Sequence, residues 1–190
     1  MISSKPKQLI LIGASTGGPG FIEKIIGSLG NTIDAAIIIG VHMNKLLLDS
    51  FAKRLNRIND VAVEFVTQET QIQNGKVYLL EETSILYQKN SFIFLDEQKP
   101  LTGYYHPTID ELFLSAAQLS DIQIIAYLLT GIGADGAKGM LALKNKGYRT
   151  VAQDEKTSIV YGMPKRAFEM GATTAVMSIE EIIKDIQAKI

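Results

Sequence analysis

A serine in a glycine-rich turn is the first feature of this 190-residue chain that could perform chemistry. Ser15 lies within Gly13-Ala14-Ser15-Thr16-Gly17, directly after the apolar run Leu9–Ile12 and before a helical window. This G-x-S-x-G spacing is that of a nucleophile elbow, in which a sharp strand–turn–helix connection exposes the serine hydroxyl. The amides of Thr16 and Gly17 open the following helix and could stabilise a tetrahedral oxyanion. The pattern indicates acyl transfer through serine, with a helix-capping serine in a glycine turn as the alternative.

A general base for this serine has to come from one of the two histidines in the chain. His42 ends Ala35–Val41, a continuous apolar run typical of a strand buried on both faces. At the carboxyl end of a strand beside that of Ser15, His42 is within reach to act as the base, and a buried neutral histidine is the alternative. His106 precedes Pro107, which disfavours a helical conformation, so we expect a peripheral or structural loop residue there.

An aspartate in a second glycine-rich loop could orient that histidine. The range Gly131–Gly136 follows the apolar run Ile122–Leu129 and has G-x-G-x-x-G spacing, with Asp154 at the end of the next strand. This is also the pattern of a dinucleotide-binding loop. Asp135, however, puts a carboxylate where the pyrophosphate would bind, and two anions would compete for the same amides. In a triad, the same carboxylate accepts the Nδ1–H of His42 and stabilises the imidazolium. A catalytic triad and a nucleotide-binding or non-catalytic module are therefore the two competing hypotheses.

Short apolar runs alternate with helical windows along the chain, and these elements must position the three residues. The predicted strands are Leu9–Ile12, Ala35–Val41, Val61–Val66, Val77–Leu80, Ile85–Gln88, Phe92–Leu95, Ile122–Leu129, Arg149–Ala152 and Thr174–Met177. The predicted helices are Pro19–Leu29, Leu46–Ile58, Thr108–Leu119, Ala137–Lys146, Met163–Met170 and a last helix from Glu180, with Thr108 and Glu111 forming a capping box.

This alternation predicts a doubly wound, three-layer α/β fold with a mainly parallel sheet, because helices form the crossovers between parallel strands. The three short strands between Val77 and Leu95 are expected to form an antiparallel meander. In such a sheet the carboxyl ends of the strands border one crevice, and Ser15, His42 and Asp135 all follow strand ends.

Composition excludes several classes of function. Apolar residues make up 46% of the chain, charged residues 21%, and the net charge is −1, so we expect no nucleic-acid partner. The lack of cysteine excludes disulfides and thiolate catalysis, and we expect no cofactor and no metal. Because the longest apolar runs have strand length and Met1–Gln8 has no signal-peptide core, we expect a cytoplasmic protein without membrane insertion. A disordered or extended segment over residues 1–8 and a single catalytic domain over residues 9–190 are predicted.

Seven motifs give the chain a resemblance to a known family. They are Ala14–Pro19, His42-Met43, Pro107–Phe113, Leu129–Gly131, Asp135–Ala137 with Gly139, Ala152–Glu155 and Val160–Pro164. Together they resemble the catalytic domain of the bacterial chemotaxis protein-glutamate methylesterase family, CheB. The resemblance implies Ser15 as nucleophile, His42 as base and Asp135 as the orienting acid. It also implies a role in chemotaxis signal transduction, with methylated glutamates on the cytoplasmic helices of methyl-accepting chemotaxis receptors as substrates and deamidation of receptor glutamines as a second reaction.

Some positions depart from the family pattern. Ile132 and Ala134 stand where the family usually has Met and Asn, and Asn44 stands where it usually has Pro. The backbone amides of Ile132 and Gly133 remain candidates for contacts with the substrate or the oxyanion. The family's receiver domain has no counterpart in this sequence, so we expect an open site and, at most, a separate regulatory protein as partner. A carboxylesterase for small metabolites is the third hypothesis.

Overall fold

A computed structural model of the chain describes residues 5–97 and 106–190. The strands are β1 (Gln8–Ala14), β2 (Ala36–Val41), β3 (Val63–Val66), β4 (Thr70–Gln71), β5 (Lys76–Leu80), β6 (Ser84–Lys89), β7 (Phe92–Glu97), β8 (Gln123–Leu128), β9 (Arg149–Gln153) and β10 (Ala175–Met177). The helices are α1 (Gly18–Gly27), α2 (Lys45–Ile58), α3 (Ile109–Ala116), α4 (Ala137–Asn145), α5 (Met163–Glu169) and α6 (Ile179–Gln187).

Seven strands form a parallel sheet in the order β10-β9-β8-β1-β2-β5-β3. From β1 in the middle, the chain first builds outward through β2, and it later returns to add β8 and β9 on the other side. The connection after β1 therefore leads to the strand on one side, β2, and the connection after β8 leads to the strand on the opposite side, β9. A doubly wound sheet opens a crevice at the carboxyl ends of its strands where this happens. The predicted α/β fold with a mainly parallel sheet is confirmed.

Helices cover both faces of this sheet. Successive side chains of a strand point to opposite faces, and in β1 the side chains on both faces are apolar and buried. Ile10 and Ile12 of β1 pack into the core under α1, α2 and α6. Leu9 and Leu11 of the same strand pack into the core under α3, α4 and α5. The result is a three-layer arrangement in which β1 is completely buried from Leu9 onward.

The predicted antiparallel meander is wrong in its first strand. Val77–Leu80 lies in β5, which runs parallel to both β2 and β3. Its four residues are fully buried, as expected of a strand covered on both faces. The antiparallel sheet instead consists of the hairpin β6–β7 with the two-residue strand β4 added at its edge. Leu86 and Leu95 of this small sheet pack into the core under α3.

The disordered or extended segment expected over residues 1–8 stays a prediction. Residues 1–4 lie outside the described residues, and Gln8 is already the first residue of β1. Its side-chain amide donates to the carbonyl oxygen of Lys189 over 2.8 Å. Of the helices within residues 5–97 and 106–190, none combines the length and the apolar character needed to cross a membrane.

Candidate active site

The parallel register of β1 and β2 brings the candidate nucleophile and base to adjacent positions. Ala14 pairs with Val41 at the carboxyl ends of these strands. The amide of His42 donates to the carbonyl oxygen of Ala14 over 3.1 Å. Ser15 and His42 are the next residues of two neighbouring strands, whose backbones lie about 4.8 Å apart. Their side chains therefore start from the same edge of the sheet.

Ser15 begins a tight turn that leads into α1. Its amide donates to the carbonyl oxygen of Thr130 over 3.0 Å, and its own carbonyl oxygen accepts the amide of Gly18 over 2.8 Å. Gly17 has φ +82° and ψ −14°, a left-handed conformation that glycine adopts without steric penalty. The amides of Thr16 and Gly17 lie at the amino end of α1, where helix geometry leaves N–H groups without intrahelical acceptors.

His42 and Asp135 form a buried contact across the sheet. Nε2 of His42 lies 2.7 Å from Oδ2 of Asp135, and the two side chains are only 10% and 7% exposed. The prediction that Nδ1 faces Asp135 is wrong. Strand β1 separates β2 from β8, so the histidine must reach across about 10 Å of sheet, and Nε2 is the ring nitrogen farther from the backbone. The other nitrogen, Nδ1, is also buried.

The Asp135 carboxylate accepts three further hydrogen bonds from backbone amides. Its Oδ2 accepts the amide of Ile109 at 2.8 Å, and its Oδ1 accepts the amides of Asp110 at 2.9 Å and Gly136 at 3.0 Å. Ile109 and Asp110 are the first two residues of α3. Asp135 therefore caps α3 from a distant part of the chain while it contacts His42.

This arrangement replaces the capping box predicted at the start of α3. The Thr108 side chain makes no capping hydrogen bond among the described residues, so the predicted pairing with Glu111 is wrong. The Thr108 amide donates instead to Oγ1 of Thr83 at 3.0 Å. The acceptor that a local cap would supply comes from Asp135, because the α3 amino terminus lies against the loop after β8.

The surroundings of Asp135 favour its charged form. Burial opposes ionisation, but hydrogen bonds from His42 and from the amides of Ile109 and Asp110 outweigh it and hold the pKa of Asp135 below its ordinary value. Asp135 is therefore an anion at neutral pH. A fixed carboxylate beside an imidazole stabilises the imidazolium that forms when the ring takes up a proton.

Two buried polar residues, missed by the sequence reasoning, tie the loops of the site together. The Thr130 amide donates to Oε1 of Gln153 over 2.8 Å. The Thr130 hydroxyl donates to the carbonyl oxygen of Thr16 over 3.0 Å and accepts the amide of Val160 over 2.8 Å. Both side chains are fully buried. The available signal was a polar residue directly after a predicted strand: Thr130 after Ile122–Leu129, and Gln153 after Arg149–Ala152.

The glycines of the second loop serve close packing and turn geometry. A Cβ atom at Gly131 would lie 2.7 Å from the Cβ of Ser15 and would overlap the sulfur of Met163. Gly133 and Gly136 have φ values of +89° and +87°, which side-chain-bearing residues rarely adopt. The G-x-G-x-x-G spacing is thus accounted for without a bound nucleotide, and the geometry favours the triad hypothesis.

The same loop carries the other two candidate substrate residues. The carbonyl oxygen of Gly131 accepts the amides of Gly162 at 3.2 Å and Met163 at 2.9 Å. Because C=O and the following N–H point in opposite directions across a trans peptide bond, the amide of Ile132 points away from α5. Gly133 follows directly, and the Ile132 side chain is 56% exposed.

Two other residues noted in the sequence have local structural roles. Oδ1 of Asp154 accepts the amide of Thr157 at 2.9 Å and its hydroxyl at 2.6 Å, which closes a turn after β9. Oδ1 of Asn44 accepts the amide of Leu46 at 2.9 Å, so Asn44 is the amino-terminal cap of α2. Across residues 5–97 and 106–190, no group of three or more acidic or histidine side chains is arranged to hold a metal ion.

Comparison with known proteins gives one consistent family. Residues 10–186 match the family model described as CheB methylesterase. A protein-glutamate methylesterase/protein-glutamine glutaminase of Carboxydothermus hydrogenoformans is 36% identical over all of this chain and 57% of its own length. A protein of the same name from Photorhabdus laumondii is 35% identical over all of this chain and 56% of its own length. This chain thus spans little more than half of these relatives.

A solved structure matches this chain both in fold and in sequence. The crystal structure of the Thermotoga maritima CheB methylesterase catalytic domain has a TM-score of 0.89 and 28% sequence identity. The match covers 98% of this chain and 100% of that one.

Proposed function

The chain belongs to the CheB methylesterase family, and on that premise we propose that it hydrolyses γ-methyl esters of glutamate residues in a protein. Ser15 acts as nucleophile, His42 as general base and Asp135 as the acid that orients His42. The observation that carries this proposal is the buried 2.7 Å contact between His42 and Asp135, made beside the turn that holds Ser15.

The proton inventory follows from this contact. Asp135 is anionic and faces Nε2 of His42, so the neutral ring carries its proton on Nε2 and presents a lone pair at Nδ1. Nδ1 accepts the Ser15 proton while Oγ attacks the ester carbonyl carbon. The proton then passes from Nδ1 to the methoxide oxygen, and methanol leaves. In the second half, Nδ1 takes a proton from water, the hydroxide attacks the acyl-serine, and Ser15 recovers its proton as the glutamate is released.

The oxyanion of each tetrahedral intermediate requires hydrogen-bond donors close to Ser15. We assign this role to the amides of Thr16 and Gly17 at the amino end of α1, with Ile132 and Gly133 across the crevice as substrate contacts. The positive end of the α1 dipole supports the assignment, because it adds to the stabilisation of a negative oxygen. Donors from the backbone also tolerate the change from Met and Asn to Ile132 and Ala134.

We propose methylated glutamates on the cytoplasmic helices of chemotaxis receptors as the substrates, and the cytoplasm as the location of the activity. Hydrolysis of a glutamine amide follows the same steps with ammonia as leaving group, and the names of the relatives support this second reaction. A separate regulatory protein as a further partner also belongs to the proposal.

The test is release of methanol from receptor membranes carrying radiolabelled methyl esters. We expect volatile radioactivity from the wild-type chain and none above background from Ser15→Ala. Circular dichroism of the variant should match the wild type, since Ser15 contributes only a hydroxyl to the site. If the wild-type chain releases no methanol from these receptors, the proposed function is wrong.

A further inference from the structure

A second carboxylate, Asp110, lies next to Asp135 and is not used by the mechanism. Asp110 is the second residue of α3, and Oδ1 of its side chain accepts the amide of Gly139 at 2.8 Å. Gly139 is the third residue of α4, one of the positions whose amide has no acceptor within its own helix. Asp110 therefore caps α4 from α3.

The two helices exchange caps. Asp135, which stands two residues before α4, accepts the first two amides of α3. Asp110, which stands inside the first turn of α3, accepts an amide of the first turn of α4. Each carboxylate also lies at the positive end of the partner helix dipole, where a negative charge is favourable.

Close packing makes this exchange rigid. A Cβ atom at Gly139 would lie 3.0 Å from the carbonyl oxygen of Asp110 and would overlap the Cβ of Phe113. The amino termini of α3 and α4 therefore meet backbone to backbone, and neither can shift without breaking the cap on the other. Asp135 and Gly139 are separated by only three residues, so the position of Gly139 determines that of Asp135.

We propose that Asp110 is a positioning residue for the reaction: by fixing the start of α4 against α3, it holds Asp135 at the distance from which it orients His42. This inference rests on the proposed function for its kinetic consequence but not for its structural one. The raised pKa of Asp110 is consistent with it, since burial and the nearby negative charge of Asp135 outweigh the amide of Gly139 and the positive charge of Lys138.

The structural test is amide hydrogen exchange by NMR in Asp110→Ala and Asp110→Asn. Asparagine keeps an Oδ1 acceptor, whereas alanine does not. We expect Asp110→Ala to speed exchange at Gly139 and also at Ile109, whose acceptor is Asp135. Asp110→Asn should keep both amides protected, and Glu111→Gln, which removes a carboxylate one residue further along α3, should match the wild type. Faster exchange at Gly139 with unchanged exchange at Ile109 would overturn the proposal.

The kinetic test separates positioning from substrate binding. We expect Asp110→Ala to lower kcat for methanol release about 10-fold to 100-fold, the usual effect of a small displacement of a catalytic group, with KM unchanged. Asp110→Asn should restore kcat to near the wild-type value. A rise in KM alone would contradict the assignment. If the wild-type chain shows no esterase activity, the proposed function fails, while the exchange experiment still decides the role of Asp110.

A titration covers the case in which Asp110→Ala does not fold. The Asp110 carboxyl can be followed by carbon NMR in the wild type and in Asp135→Asn. We expect it to titrate above the ordinary aspartate range in the wild type and at lower pH in the variant, because the negative charge of Asp135 is gone while Lys138 remains. Identical titration midpoints would show that the two carboxyls are not held together, and the proposal would fall.

Discussion

At the scale of single residues, the proposed mechanism makes Ser15 and His42 parts of one unit. We expect Ser15→Ala and His42→Ala each to lower the turnover of methyl ester by about 10³-fold to 10⁶-fold, and the double variant to lose little more. The reason is that neither residue accelerates the reaction without the other. Methanol release from labelled receptors measures all three variants, with Ser50→Ala, an exposed serine on α2, as the control. Losses that multiply in the double variant would contradict a shared mechanism.

The negative charge of Asp135 also affects the stability of the fold. Its pKa lies below the ordinary 3.8, because its hydrogen bonds outweigh its burial. The charged carboxylate therefore stabilises the fold at pH values above the ordinary aspartate pKa. This contribution is lost as the pH falls through the lowered pKa of the folded protein. We expect Asp135→Asn to lower the free energy of unfolding by about 1–3 kcal/mol at neutral pH, and the difference from wild type to shrink below about pH 4.

Urea unfolding of both proteins across the acid range measures this difference. A gap that stays constant down to acid pH would mean that the Asp135 charge contributes nothing to folding. The same variant should lose esterase activity at neutral pH, less severely than Ser15→Ala, because in the proposed mechanism the acid orients and charge-stabilises His42 and does not itself react.

At the scale of the elements, most helices and strands were predictable because their signals are local. The partner of a strand is not a local property. Val77–Leu80 lies beside the hairpin β6–β7 in sequence, which suggested a meander, but its continuous burial belongs to the parallel sheet. Strand β4 has only two residues and is too short to show any period. Likewise, a local cap was predicted for α3, whereas the observed cap comes from Asp135.

The loop after β8 gives an element-scale prediction at Gly131. An added methyl group would press on the Cβ of Ser15 and on Met163. We expect Gly131→Ala to destabilise the fold by about 1–3 kcal/mol, as overpacking usually does, and to displace Ser15 from the His42 side chain. Thermal unfolding and methanol release measure the two effects. Gly20→Ala is a control for the first, since an added Cβ there meets no atom within 4 Å and Gly20 lies in α1 without a left-handed φ. Wild-type activity in Gly131→Ala would contradict the packing argument.

A second element-scale prediction is that the Gly131–Gly136 loop binds no nucleotide. Two carboxylates already accept amides at this position: Asp135 accepts the amide of Gly136, and Asp110 accepts the amide of Gly139 in the first turn of α4. A phosphate would have to displace a buried anion from those donors. Calorimetry with NAD, FAD and ATP should give no measurable heat of binding. Micromolar binding that Gly133→Val abolishes would contradict the prediction.

At the scale of the whole molecule, the site combines the four connections that follow β1, β2, β8 and β9. They contribute Ser15, His42, Asp135 and Val160, respectively. The sequence placed Ser15, His42 and Asp135 at strand ends, and a parallel sheet aligns such ends automatically. What it did not contain was the distance between them across the sheet, which decides that Nε2 rather than Nδ1 faces Asp135. The roles of Thr130 and Gln153 could not be predicted either, because their hydrogen bonds join segments that are far apart in sequence.

The proposed protein substrate would need a contact surface around the crevice, and two exposed isoleucines are candidates for it. Ile132 is 56% exposed and follows Gly131, while Ile159 is 66% exposed and covers Gly17, where an added Cβ would lie 2.7 Å from its Cδ1. Both belong to segments next to Ser15: Ile159 lies against Gly17, and Ile132 follows Gly131, which lies against Ser15. Large aliphatic side chains exposed to water near the proposed nucleophile could contact apolar side chains on the helix of the proposed substrate.

We therefore expect Ile132→Ser and Ile159→Ser each to raise KM for methylated receptor about 5-fold to 10-fold with kcat unchanged, because such contacts hold the substrate equally in the ground and transition states. Hydrolysis of a small methyl ester should not change, since it is too short to reach these side chains. Ile58→Ser is the matched control: Ile58 is also partly exposed, at 41%, but it is the last residue of the 14-residue helix α2, about 20 Å along the helix from the end that follows His42. If both variants slowed hydrolysis of the small ester as much as hydrolysis of the receptor ester, the isoleucines would act on the position of the catalytic groups. The surface they form would then not be the one that binds a substrate helix.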